Sequence, residues 1–381
     1  MKTLNITIIN RMLGIYYGGG ENFTVNIAKA LKKRGHNIKL VIGKSSKQIT
    51  PLPEEVNTFD VQFVFFPYAY NASWILDYLN DSSKLKWFLS SLINHFRYRM
   101  FELAAYNKLK NDEWSDVYLV SGALVILGTF LERKKPTIVI WPGPPSRMAR
   151  KMLKKYSYNI AGGDVYPKIK KWCNNAKYIE IGLNSNYFKP SQNKPPKKNI
   201  DFLFVGRLTK FKNLPYLIKG FYEALKENKK IFLHIVGEGQ ERNSLENLAE
   251  KLNISDFIKF HGALYKKNLL KIYQSSDVFL ITSKYESFSM VTTEAMACGL
   301  PVIGTKVGFL PKLINPGETG FLVELNNIEE LKEKILFFAK NRDKVREFGS
   351  KSRKFVVKNF SWEESAKKIE NICYEVVNRN K

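Results

Sequence analysis

The stretch Lys284-Tyr-Glu-Ser-Phe-Ser-Met-Val-Thr-Thr-Glu-Ala-Met-Ala-Cys-Gly-Leu-Pro-Val302 sets one carboxylate, Glu286, in a loop and a second, Glu294, on the segment behind it. Ahead of it, Val278 to Ile281 is an apolar run of strand length. After Ser289 the pattern reads as a helix beginning at Met290 and Val291. The first N–H groups of a helix lack internal partners, and with the helix dipole they favour phosphate. A carboxylate at a strand end and another in the first helical turns therefore suit a phosphorylated sugar. Glu286 would serve the sugar and Glu294 the ribose hydroxyls. Two residues alone leave open an ordinary strand–loop–helix unit with solvated glutamates.

Strand–helix alternation extends outward in both directions. In the first half Asn5–Asn10, Ile38–Ile42, Val61–Phe65, Val117–Val120 and Thr137–Trp141 read as strands, and Asn22–Lys33 as a helix stopped by Gly35. In the second half the strands are Phe202–Val205, Phe232–Val236, Ile258–Phe260, Val278–Thr282 and Val302–Gly304. The helices between them are Pro215–Lys226, Gln240–Leu252, Lys266–Gln274 and Met290–Ala297. The strands lack clean polar alternation, which predicts parallel sheets buried on both faces. The run Ser191-Gln-Asn-Lys-Pro-Pro-Lys-Lys198 reads as the linker, with a surface loop as its alternative. The expected division is 1–190, 191–361 and a last helix, 362–381, opened by Ser361 with Glu364 three residues on.

With 381 residues the chain suits two domains rather than one core. Cys173, Cys298 and Cys373 show no metal or disulfide spacing, which fits a reducing compartment. Leu4 to Ile9 is strand-like, not a secretion signal, and the longest apolar run, Val117 to Leu131, is shorter than the roughly 20 residues that span a bilayer. The net charge of +26 calls for an anionic partner.

Four loops carry candidate ligand residues. Gly18, Gly19 and Gly20 stand between the first strand and first helix, where backbone can approach an anion; a flexible turn is the alternative. In Gly206-Arg-Leu-Thr-Lys-Phe-Lys-Asn213 the charges of Arg207 and Lys212 can converge on one diphosphate, or both can be plain solvated cations. Val236-Gly-Glu-Gly-Gln-Glu241 closes a strand-to-helix turn, and Phe260-His-Gly-Ala-Leu264 follows the next strand. His261 reads as a packing residue.

The opening stretch resembles the signature of retaining glycosyltransferase family 4, E-x7-E followed by A-M-A-x-G-x-P-V. Further matches are G-G-x-E at Gly18, Gly19 and Glu21, R-G-H at Arg34 to His36, G-R-L-x-x-x-K at Gly206 to Lys212, V-G-x-G-x-E at Val236 to Glu241, F-x-G-x-V at Phe260 to Leu264, and E-x-G-x-L-V at Glu318 to Val323. The matches are dense from Asp201 to Val323. Departures are Ser289 and Asn213, where Gly is usual, and Gly308-Phe309 in place of Gly-Gly. The last is expected to reshape the sugar pocket.

The resemblance implies an α/β chain of GT-B fold: two Rossmann-like, doubly wound domains facing a central cleft, with the last helix crossing back to the first. It implies retaining transfer from a nucleotide-diphosphate sugar to an acceptor hydroxyl. Glu286, Arg207 and Lys212 would be catalytic. The donor would lie against Gly18, Gly19, Gly20, Arg207, Lys212, Leu264, Glu286, Ser289, Met290, Val291 and Glu294. No cofactor and no metal are required. Where relatives carry a first-domain His, this chain reads Ile140-Trp-Pro-Gly-Pro-Pro145, so no base is assigned.

Between Ser82 and Lys110, cations such as Lys84, Arg97 and Lys108 interleave with Trp87, Phe88, Phe96 and Phe101. From Arg147 to Lys177 nine basic residues face the single acid Asp164. Such segments suit an anionic membrane surface or an ordinary helix with its aromatics turned inward. The first choice makes the acceptor a lipid-linked glycan or glycolipid and the protein a cytoplasmic one, peripheral at the inner membrane face. The alternatives are a nucleotide-sugar epimerase of the same fold, or a basic nucleic-acid-binding protein. The latter does not account for Arg207, Lys212, Glu286 and Glu294, and no nucleic-acid partner is expected.

Overall fold

Continuous apolar strands, too short to stand alone, pair into two all-parallel sheets, one in each of two compact units. The computed structural model describes residues 2–13, 19–44, 52–65, 84–121, 124–192, 194 and 197–379. Gly18, Gly122, Pro195, Pro196 and the side chains of residues 84–95 and 97 lie outside the described residues.

The first unit holds Met1–Glu180 and Trp362–Lys381. Its elements are β1 (Asn5–Asn10), α1 (Gly19–Lys33), β2 (Asn37–Lys44), β3 (Asp60–Phe65), α2 (Lys84–Leu109), β4 (Val117–Ser121), α3 (Val125–Glu132), β5 (Thr137–Trp141), α4 (Arg147–Arg150), β6 (Tyr158–Ala161), α5 (Val165–Lys170) and β7 (Ala176–Tyr178). The strand order is β3-β2-β1-β4-β5-β6-β7, with Ile6 beside both Ile38 and Val117. Every residue of β4 and β5 is buried, as helices on both faces require.

The basic, aromatic segment is indeed helical, as α2, and its described aromatics divide. Phe101 is buried with Ala105 and Leu109 one and two turns on, whereas Phe96 and Leu103 are 61% and 59% exposed. Buried Glu102 accepts from the N–H groups of Ile126 (2.9 Å) and Leu127 (3.3 Å), satisfying the start of α3. The second basic cluster is partly consumed by packing. The Arg150 guanidinium lies 4.2 Å from the Trp172 ring centroid, and Lys168 pairs with Asp164 at 2.6 Å. Strands β6 and β7, absent from the sequence reading, run through this cluster.

The second unit, Ile181–Ser361, comprises β8 (Ile200–Val205), α6 (Leu214–Glu227), β9 (Ile231–Val236), α7 (Arg242–Lys251), β10 (Ile258–Phe260), α8 (Lys266–Ser275), β11 (Val278–Ile281), α9 (Met290–Ala297), β12 (Val302–Thr305), α10 (Leu310–Leu313), β13 (Gly320–Val323), α11 (Ile328–Lys340) and α12 (Arg342–Asn359). Its order is β10-β9-β8-β11-β12-β13. The chain changes unit at Glu180–Ile181, ahead of the Ser191–Lys198 stretch. Gly220 lets α6 press against α11, since a Cβ there would stand 2.6 Å from Leu331 Cδ2.

The last helix, α13 (Trp362–Arg379), belongs to the first unit. The Phe23 and Trp362 rings meet edge-on at 5.6 Å. Glu370 on α13 takes Arg34 Nε at 3.0 Å and Nη2 at 2.5 Å on one oxygen, and His36 Nε2 at 2.8 Å on the other. His36 Nδ1 accepts from the Leu4 N–H at 3.2 Å, so Nε2 carries the proton and donates. The Arg-Gly-His triplet is thus the fastening of α13.

Candidate functional site

The order of the second sheet reverses between β8 and β11, and in a parallel sheet ligands bind beyond the carboxyl ends of the strands at such a point. Lys212 lies in the loop after β8, and Glu286 in the loop after β11. The two side chains form an ion pair on Glu286 Oε1. Ser283, fully buried, donates to that same oxygen at 2.7 Å. Backbone braces the arrangement: the Lys284 N–H donates to Phe211 C=O (2.8 Å) and the Thr282 hydroxyl to Lys212 C=O (3.2 Å). Both partners on Oε1 leave Oε2 as the oxygen available to a ligand hydroxyl. Sequence reasoning missed Ser283, because a single serine in a loop has no periodicity to mark it.

Asn213 explains one departure from the family pattern. Its φ of 55° lies in the left-handed region, where Asn is the usual substitute for Gly. Ser289, at φ 75°, holds a similar backbone at the start of α9, tied by a 2.7 Å hydrogen bond between its hydroxyl and that of Thr292. Gly308 is a site of closer constraint: at φ 54°, a Cβ would fall 2.0 Å from the carbonyl oxygen of Glu286.

Phe309 corrects an expectation. Its ring is 4% exposed and stacks on Phe288 at 5.3 Å, so it fills the core instead of reshaping a sugar pocket. Its ring thus supports the site loop from the core side through Phe288, and its N–H donates to Glu286 C=O at 2.9 Å.

Glu294 has separate surroundings. It is 8% exposed on α9 and accepts from the Tyr273 hydroxyl at 3.1 Å. Burial pushes its carboxyl up to about 7, against the opposing pull of Tyr273. A group poised there gains from any ligand that donates to its ionised form. Met290 and Val291, half-buried, open the same helix.

Arg207 is not drawn into the cluster. Its side chain is exposed and makes no hydrogen bond or ion pair among the described residues. Its loop is nonetheless stitched to the next. The Leu208 N–H donates to Glu238 C=O (2.9 Å), the Glu241 N–H to Leu208 C=O (3.0 Å), and the Gly237 N–H to Gly262 C=O (2.8 Å). Gly237, φ 138°, is obligatory because a Cβ would stand 1.8 Å from Gly206 C=O. Leu264 is half-buried against the core of the unit. His261 pairs with His234 at 2.9 Å, and burial with the neighbouring His234 charge brings its pKa down to about 4, so it is neutral near pH 7.

Gly19 and Gly20 open α1 in the first unit; a Cβ at Gly20 would meet Pro142 Cβ at 3.7 Å.

Residues 186–355 match the family model described as Glycosyl transferases group 1. The chain is 31% identical over 180 residues to N-acetyl-alpha-D-glucosaminyl L-malate synthase of Bacillus anthracis, covering 47% of this chain and 46% of that protein. It therefore spans about half the length of that relative. It is 25% identical over 361 residues to an uncharacterized glycosyltransferase of Haemophilus influenzae, covering 88% of this chain and 91% of the other. Among solved structures, a sucrose-phosphate synthase from Thermosynechococcus elongatus superposes with a TM-score of 0.80 at 18% identity, covering 99% and 100% of the two chains. Anabaena HepE, solved with UDP and glucose, gives 0.77 at 16%, covering 98% and 100%. The two Rossmann-like domains are those of the GT-B glycosyltransferase fold.

Proposed function

We propose that this chain is a retaining glycosyltransferase that moves a hexosyl group from a nucleotide-diphosphate sugar to an acceptor hydroxyl. The observation that carries the reading is the Lys212–Glu286–Ser283 cluster at the switch point between β8 and β11. Glu286 would hold the donor sugar by Oε2 and offset positive charge developing at its anomeric carbon. The Lys212 ammonium has three donors, enough to keep Glu286 and meet a diphosphate. Arg207, exposed and uncommitted, would turn onto the same phosphates. Glu294 would accept from the ribose hydroxyls, and the first N–H groups of α9, at Met290 and Val291, would face phosphate. The acceptor oxygen attacks the face from which the diphosphate leaves, and the diphosphate takes the acceptor proton. The reading assigns the neutralising charge to Lys212 and Arg207, not to a metal.

HepE was solved with UDP, which makes UDP-sugars the first donors to test. A panel of nucleotide sugars, scored by donor hydrolysis and thermal shift, should select at least one donor, with Glu286→Ala and Lys212→Ala abolishing turnover. Turnover unchanged in both variants would reject the assignment. An epimerase would instead return an isomerised nucleotide sugar without releasing nucleotide.

A lipid-linked acceptor at an anionic membrane surface completes the reading. Among the described residues no helix is long and apolar enough to cross a membrane. Exposed Phe96 and Leu103 on α2, with Lys108 and Lys110 beyond them, suit a shallow interfacial contact. Vesicle flotation should depend on anionic lipid and weaken in Phe96→Ser/Leu103→Ser.

A further inference from the structure

A cavity of about 890 Å³ opens in the second unit at the end of the sheet opposite Glu286. Ile200, the first residue of β8, and Asp277, just before β11, line it; Arg207, Lys212, Glu286 and Glu294 do not. Seven Lys and Arg residues line the cavity against the single acid Asp277.

Four of these cations are committed. Lys194 pairs with Asp277 at 2.8 Å and Lys197 with Asp201. Arg342 donates to Lys198 C=O at 2.6 Å, and Arg353 to the carbonyls of Ala297, Phe188 and Ser185, fixing the cavity wall. The other three, Arg346, Lys354 and Lys358, are exposed and have no hydrogen bond or ion pair among the described residues. They stand on one ridge of α12, at four-residue steps Arg342, Arg346, Ser350, Lys354 and Lys358, all lining the cavity. On a helix each step advances about 6 Å.

Neither acid of α12 compensates this ridge: Asp343, near its start, makes no ion pair among the described residues. Glu347 is spent on Lys344 and Lys351, each at 2.7 Å, and neither of those lysines lines the cavity. Like charges four apart on a helix repel by a few tenths of a kcal/mol per pair. A row of this kind is stabilised by an anion laid along it.

We infer that this groove binds a linear inorganic polyphosphate laid along the ridge of Arg346, Lys354 and Lys358. An unbranched phosphate chain carries charge on every unit, more closely spaced than the cations, so it can meet Arg346, Lys354 and Lys358 together and enter a groove, whereas a bilayer presents a flat sheet of headgroups. The inference is independent of the reaction proposed above, because it concerns the other end of the sheet.

The test is binding of a short linear inorganic polyphosphate by calorimetry across a salt series, with no sugar donor present. Arg346→Gln/Lys354→Gln/Lys358→Gln should weaken binding at least tenfold. It should also flatten the slope of log affinity against log salt by about 2, at roughly 0.7 per lost contact. The charge-matched control Lys219→Gln/Lys251→Gln/Lys340→Gln, off the cavity and outside the ion pairs of the described residues, should retain the wild-type slope. Equal losses in the two triple variants would show attraction to net charge alone and overturn the inference. So would a groove variant that keeps polyphosphate binding and loses only flotation with phosphatidylglycerol vesicles.

Discussion

Lys212 and Glu286 form an ion pair across the ends of the neighbouring strands β8 and β11. The Glu286 side chain is 9% exposed and that of Lys212 20%, so the pair is largely removed from water. Removing one member of such a pair strands the other charge, which costs more than removing both. Lys212→Met should lower stability by about 2–3 kcal/mol, and Lys212→Met/Glu286→Gln should recover much of that loss. Urea denaturation of the four proteins in the cycle measures the coupling. Ser283→Ala should leave stability within about 1–2 kcal/mol of wild type, while donor turnover drops about tenfold.

Glu294 gives the second unit a pH signature. Its folded pKa of about 7 exceeds the ordinary 4.5, so its contribution to stability is fully present below pH 4.5 and lost as pH rises through 7. Thermal midpoints should therefore carry a downward component over that window that Glu294→Gln lacks. Nucleotide affinity should move the other way, rising from pH 6 to pH 8 in the wild type more than in Glu294→Gln. Parallel profiles for the two proteins would refute the carboxylate as a ribose acceptor.

Glu370 fastens α13. Burial raises its carboxyl, but Arg34 and His36 together bring it below the ordinary value. Its stabilising share is thus present above about pH 4.5 and lost as pH falls through the lowered pKa. Glu370→Ala should cost about 3 kcal/mol or more, because it leaves two polar side chains without their partner. Hydrogen exchange should rise first in α13 and α1, with the second unit unchanged.

Phe309 and Gly308 separate packing from specificity. Phe309→Gly, which restores the usual pair, should empty the space beside Phe288 and cost about 3–5 kcal/mol by calorimetry. The preferred donor should not change. Gly308→Ala should be at least as damaging, since its Cβ would strike the Glu286 carbonyl.

Much of this was legible in the sequence. The spans of β1, β5, β10 and α9 follow directly from apolar runs bounded by breakers. Strands β6 and β7 were hidden because they are short and flanked by lysines, so charge density masked them as surface. A motif match told where Phe309 departs from its relatives but not which way its ring turns, which packing against Phe288 decides. Likewise Arg34 and His36 carried a pattern without a purpose. Their partner Glu370 is 336 and 334 residues away, beyond the reach of any local reading.

That separation has a consequence for how the molecule is born. The first unit opens the chain yet is closed by a helix made only after all of Ile181–Ser361 has been synthesised. Domains ordinarily fold in the order in which they leave the ribosome. Here the earlier half must wait, with one flank of α1 uncovered, while the later half, contiguous in sequence, can complete itself first. A nascent chain arrested before Trp362 should accordingly present a protease-resistant second unit joined to a protease-sensitive first.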